Sequence, residues 1–93
     1  TTIGIIGDTT TGGWDSDTPM TYNSAAGCWE ATTDHAAGQL KFRANNGWDI
    51  NWGGTTAELR NNGENLVIET AGNYTIKLYP ICDGKSHCTI VKN

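Results

Sequence analysis

The sequence predicts an all-β domain, an antiparallel β-sandwich of seven or eight short strands. Three observations lead there. The composition is poor in helix formers and rich in Thr, Gly, Asn and Trp, which fit strands and turns better than helices. Apolar and polar residues alternate in several short runs, most cleanly from Gln39 to Asn45 and from Asn73 to Tyr79, with the period of two of a half-buried strand. Gly, Asn, Asp and Pro punctuate the chain every several residues, as sandwich turns require. At 93 residues the chain has room for one modest core, so residues 1–93 form a single domain.

The elements follow in order. Thr2 to Gly7 reads as a strand with Ile3 and Ile5 on one face. Asp8 to Asp17 reads as a loop carrying Trp14, which has Gly13 and Asp15 beside it and no apolar neighbour. Asp8, Asp15 and Asp17 lack the glycine and distal Glu of a calcium loop, so turn capping accounts for them better. Pro19 to Tyr22 reads as an edge strand, and Asn23 to Gly27 as a turn. Cys28 to Thr33 reads as a strand with Trp29 and Ala31 inward. Asp34 to Gly38 turns the chain again, with His35 a solvated turn residue.

The next strand points Leu40, Phe42 and Ala44 to the core and Lys41, Arg43 and Asn45 to the other side. It breaks at Asn46-Gly47, a turn signal that tolerates positive φ. Trp48 and Trp52 follow in a segment too rich in Asn, Asp and Gly for a buried strand. Thr55 to Gly63 reads as a polar loop with room for one helical turn around Ala57 to Asn61. Asn65 to Thr70, with Leu66 and Ile68 inward, then Asn73 to Tyr79 and Cys88 to Lys92 complete the sheets.

The totals exclude several function classes. Net charge is −4 with only six Lys and Arg, which argues against a phosphate-binding surface and so against nucleic acid. No apolar run is long enough to span a membrane. The chain opens directly in a strand, which reads as a piece cut from a longer precursor. Cys82 and Cys88 flank Asp-Gly-Lys-Ser-His and read as a disulfide closing a hairpin end, in an oxidising, extracytoplasmic setting. A metal site from Cys82, His87 and Cys88 is the alternative, but it lacks a fourth ligand and any Cys-x-x-Cys spacing. Cys28 reads as a lone thiol. No pair of carboxylates sits as a glycosidase needs, and no Ser-His-Asp or Cys-His set has a supporting context. The expectation is a non-enzyme without cofactor or metal.

What the chain does offer is indole beside polar groups. Trp14, Trp48 and Trp52, with Lys41, Arg43, Asn45 and Asn46, are the residue types a polyhydroxylated ligand needs. An aromatic face covers a sugar's C–H surface and polar groups bond its hydroxyls. The competing reading is that Trp48 and Trp52 cap one end of the core.

Certain runs carry a resemblance. They are Gly12-Gly-Trp-Asp15, Gly27-Cys-Trp29, Gly38 to Asn45, Trp48 to Gly54, Gly63-Glu-Asn-Leu66 and Gly72-Asn-Tyr-Thr-Ile76. In this order the chain resembles the immunoglobulin-like starch-binding domains of SusE/SusF-type outer-membrane lipoproteins from starch-utilising Bacteroidetes. It is also similar to starch-binding modules of amylases and pullulanases. The resemblance covers nearly the whole chain, and Lys41 to Gly54 is its most specific block. It implies a non-catalytic α-glucan binder, lipid-anchored at the outer-membrane surface through other parts of the precursor, with other glycan-uptake proteins as partners. It implies a curved aromatic platform from Trp14 and Trp48, with Arg43 and an amide from Asn45 or Asn46 reaching the hydroxyls. The Cys82 to Cys88 loop departs from that pattern, and some domains of the family act only as spacers.

Overall fold

Alternation along one strand decides which side of the sheet becomes core. On β5 (Gly38–Ala44), Leu40, Phe42 and Ala44 are buried among Ile3 and Ile5 of β1 (Ile3–Gly7). The register confirms the shared face, with Ile3 opposite Ala44 and Ile5 opposite Phe42. From the facing sheet come Tyr74, Ile76 and Leu78 of β9 (Gly72–Tyr79) and Cys88 of β10 (His87–Lys92). The computed structural model describes residues 2–80 and 86–93. Among these residues there is no helix, and all regular structure is antiparallel strand. The proposed Cys82 pairing therefore lies outside the described residues; its partner Cys88 is a buried free thiol, as is Cys28.

Two sheets result. The first runs β2 (Thr18–Pro19), β1, β5, β6 (Asn51–Gly54), β7 (Leu59–Asn61), with β8 (Leu66–Ile68) pairing the other end of β5. The second runs β10, β9, β4 (Cys28–His35), β3 (Thr21–Asn23). Their inner faces share one apolar cluster, which makes the fold an antiparallel, sandwich-like pack of ten strands among the described residues.

Several expectations are corrected. The Pro19–Tyr22 strand is two strands in different sheets. Gly4 pairs Pro19, whereas Thr21 pairs Glu30. Met20 is the buried hinge of that crossing and donates its N–H to the Ile3 carbonyl at 2.9 Å. The helical turn around Ala57 to Asn61 is absent. Instead Leu59 enters the core and its N–H is taken by the Ser86 carbonyl at 2.7 Å, so tertiary pairing overrides a weak local preference. The Trp48–Gly54 segment does contain a buried strand, β6, despite its composition. Asn51 and Gly53 are buried there, and a Cβ on Gly53 would stand 2.1 Å from the Glu64 carbonyl.

His35 is no solvated turn residue: it is 3% exposed. Strand β4 runs two residues past the expected end and carries the ring inward against Tyr74, edge to face. Its Nδ1 lies 3.0 Å from Thr9 Oγ1 and its Nε2 3.0 Å from Thr33 Oγ1. With both nitrogens partnered, burial is tolerable. Desolvation lowers its pKa, and Asp34 nearby partly offsets that.

Candidate functional site

The two outer faces differ. On the β9 sheet the outer face is polar and partly open, with Thr75, Lys77 and Tyr79 half-buried. On the β5 sheet it is covered. Lys41 is 8% exposed and Arg43 7%, although the alternation sends both away from the core. Ile6, on that same face of β1 opposite Lys41, is fully buried outside the main cluster. The sequence patterning therefore placed these side chains on the correct face, and two loops then close over them.

The first loop is Asp8–Asp17. A set of short backbone bonds folds it tightly: Thr10 N–H to the Gly7 carbonyl, Gly7 N–H to Gly13 and Gly13 N–H to Thr10. Gly13 takes φ +59 immediately before Trp14, a conformation glycine adopts without steric penalty. The loop's acidic residues do not gather around a common point. Asp8 Oδ1 accepts from the Gln39 N–H at 2.6 Å, whereas Asp17 reaches across to Arg43. The second loop leaves β5 by a tight turn at Asn45-Asn46, both at φ +55, closed by the Gly47 N–H on the Ala44 carbonyl at 3.2 Å. That pairing of positive φ angles belongs to the mirror-image turn that suits antiparallel strands. It begins one residue before the expected Asn46-Gly47 signal.

The loops bring Trp14 and Trp48 together. Their ring centroids are 6.2 Å apart and their planes 28° off parallel, within the range of offset aromatic contact. Both stay open to solvent, Trp14 at 39% and Trp48 at 47%. Under Trp48 stand the two cations of β5. The Arg43 guanidinium carbon is 4.9 Å from the ring centroid and the Lys41 ammonium 5.8 Å, each close enough for a cation–π attraction of about 0.5–2 kcal/mol.

The cations are themselves anchored. Asp17 Oδ1 accepts from Arg43 Nε at 2.6 Å and from Nη2 at 2.5 Å, in an ion pair whose side chains are almost wholly buried. Gly4 makes this possible. It is the residue opposite Arg43 in the register, and a Cβ there would meet the Asp17 side chain at 2.7 Å. The other carboxylate oxygen of Asp17 is buried and has no hydrogen-bond partner among the described residues. Lys41 donates to Asn51 Oδ1 at 2.5 Å, and burial lowers the pKa of its ammonium. Asn51, 1% exposed, is satisfied on every side. Its backbone N–H donates to Asn61 Oδ1 at 3.0 Å, and its Nδ2 donates to the Trp48 carbonyl at 2.9 Å and to Asn62 Oδ1 at 2.7 Å.

The expected site residues thus divide. Trp14, Lys41, Arg43 and Trp48 converge, the two indoles outermost and the two cations beneath. Asn45 is exposed on the turn but tied to the chain start, where its Oδ1 accepts from the Thr2 N–H at 3.2 Å. Asn46 is exposed beside it. Trp52 belongs elsewhere: it pairs with Phe42 and packs on the core from the inner face. Four residues that sequence reasoning did not select complete the assembly, namely Asp17, Asn51, Asn61 and Asn62. A faint signal existed for Asp17, because Gly4 leaves a gap in an otherwise apolar strand. None existed for the asparagines, whose roles come from strand pairing. Compared with protein-family models, with curated proteins and with solved structures, the chain matches none of them.

Proposed function

We propose that this chain is a non-catalytic saccharide-binding domain, and that an α-glucan such as starch or a maltooligosaccharide is its ligand. The observation that carries the reading is the pair of half-exposed, nearly parallel indoles of Trp14 and Trp48. Aromatic surface of this size left in water is costly unless something covers it, and a pyranose ring presents a matching apolar face with polar edges. Two loops with little apolar sequence of their own hold the indoles in contact with each other. The cations below them brace Trp48 from the protein side. In this role Lys41 and Arg43 orient the platform, which differs from the direct hydroxyl contact that the family resemblance implies for Arg43.

The finer expectations belong to the same reading: an immunoglobulin-like domain of a surface lipoprotein, held outside the cell with other glycan-uptake proteins. Tyr74 supports the first of these, since its hydroxyl reaches back to the Thr70 carbonyl across the corner between β8 and β9, as corner tyrosines of such sandwiches do.

Titration of the protein with maltoheptaose, followed by calorimetry and by indole NMR signals, tests the proposal. Cello- and xylo-oligosaccharides serve as controls. Binding should be weak, on the order of micromolar to millimolar, because much of the contact energy is offset by ordering the sugar chain. Trp14→Ala and Trp48→Ala should each abolish it while the domain stays folded. Wild-type protein that gives no heat and no shift at millimolar maltoheptaose overturns the α-glucan reading. One observation favours a second reading, a spacer domain that binds nothing. Both cations beneath Trp48 are committed to the fold, so the indoles would then serve only as a cover, and Trp48→Ala would lower stability with no binding to lose.

A further inference from the structure

We infer that the hydroxyl-recognising part of the site lies beside Trp48, at the side-chain amides of Asn61 and Asn62. They would bond the hydroxyls of a saccharide unit next to the one stacked on the indoles. The inference rests on the saccharide reading above and adds a second subsite to it.

The orientation of these amides follows from two groups that can only donate. Lys41 carries an ammonium, so the Asn51 atom 2.5 Å from it is the amide oxygen. The Asn51 nitrogen is then the donor that meets both the Trp48 carbonyl and Asn62 Oδ1. Separately, the backbone N–H of Asn51 donates to Asn61 Oδ1. Both neighbouring amides therefore turn their oxygens inward to Asn51. Their NH2 ends remain for the outside, and both residues are exposed. A single buried asparagine thus fixes the Trp48 backbone and holds both amide oxygens, which leaves two amide donors at this edge of the sheet.

Asn61 and Asn62 line an open cleft of about 470 Å³, shared with Arg60 and Glu64, a size typical of small-ligand sites. The cleft floor is closely packed. Gly53 and Gly63 face each other so closely that a Cβ on Gly63 would stand 2.3 Å from the Gly53 carbonyl oxygen. The chemistry selects hydroxyls over anions. Arg60, the cation that lines the cleft, pairs with Glu58 at 3.1 Å, and Glu64 adds a negative charge. Neutral amide donors beside carboxylate acceptors suit groups that both accept and donate, as sugar hydroxyls do.

The test compares maltose with maltoheptaose on wild type, Asn62→Gly, Asn61→Ala and the two combined. Asn62→Gly is the sound first variant. Its φ of +61 is one that glycine adopts freely, and Asn51 Nδ2 keeps the Trp48 carbonyl as acceptor. Wild type should bind the heptaose more tightly than the disaccharide. Each substitution should weaken heptaose binding by about two- to tenfold, and the combination should remove the gain over maltose. The Trp14 and Trp48 indole signals of the free protein should stay in place; if Asn61→Ala moves them, Asn62→Gly decides alone. A combined variant that binds maltoheptaose as wild type does, while Trp48→Ala abolishes binding, overturns the subsite and leaves the platform standing. A wild type that binds neither sugar overturns both.

Discussion

Asp17→Ala is the substitution that most directly tests how the indole pair is held. In the wild type its carboxylate takes two donors from Arg43, and the two side chains are 4% and 8% exposed. Removing one partner of a buried ion pair leaves the other charged and unpaired, which costs about 3–5 kcal/mol. Arg43 would keep its contact with the Trp48 ring, and water can enter where the carboxylate stood, so a value near the lower end, about 3 kcal/mol, is expected. A domain of this size holds about 5–15 kcal/mol in total, so the variant should still fold. In urea the midpoint should fall by roughly 2 M, taking a slope of about 1.5 kcal/mol per molar.

Because the pair is buried, added salt should change the loss little. Arg43→Met on the Asp17→Ala background should recover much of the stability, since a buried ion pair replaced by apolar groups is often close to neutral. The indole signals should nevertheless stay shifted, because the brace under Trp48 is gone. A loss below about 0.5 kcal/mol for Asp17→Ala would refute the reasoning, as would a double variant no more stable than the single one.

Two further outcomes are expected. His35 has its folded pKa lowered from 6.5 by burial, so its contribution to stability is fully present above that pH. It is lost as pH falls and the unfolded ring protonates first, down to the lowered folded value. Urea midpoints should thus drop between pH 7.5 and 5 in wild type and less steeply in His35→Gln; equal slopes would show that the ring is not held neutral. Cys88 sits in an apolar environment that pushes its thiol pKa up to about 12. Iodoacetamide at pH 8 should leave it unmodified until the domain is unfolded, and rapid native-state labelling followed by mass spectrometry would contradict its burial.

The core was legible in the sequence because side-chain period in a strand is a local property. Leu40, Phe42, Leu66, Ile68 and Ile76, expected inside on alternation alone, are all buried, with Ile90 half-buried against them. The same alternation sent Lys41 and Arg43 to the opposite face, correctly. It carried no information on what would cover that face. Trp14 was legible as a half-exposed loop indole for a related reason, since it has no apolar neighbour to hide against.

Where the reading failed, pairing between distant segments was decisive. Asn51 looked like a loop residue because its segment is rich in Asn, Asp and Gly, and an isolated buried amide is unfavourable. Only when Lys41, Trp48, Asn61 and Asn62 are brought around it are its polar atoms all satisfied, and then it becomes the most constrained polar residue of the site. His35 is buried for the same reason, because Thr9 and Thr33 meet its ring. Trp52, one position from the site-facing Asn51, falls on the core side because β6 pairs it with Phe42. By itself the sequence determined the longer strands, the apolar inner faces and the cation-bearing outer face, since these depend on periods of two. The tertiary structure alone decided that two loops would close over the cations and bring two indoles into contact, because loop closure and partner satisfaction depend on residues far apart in the chain.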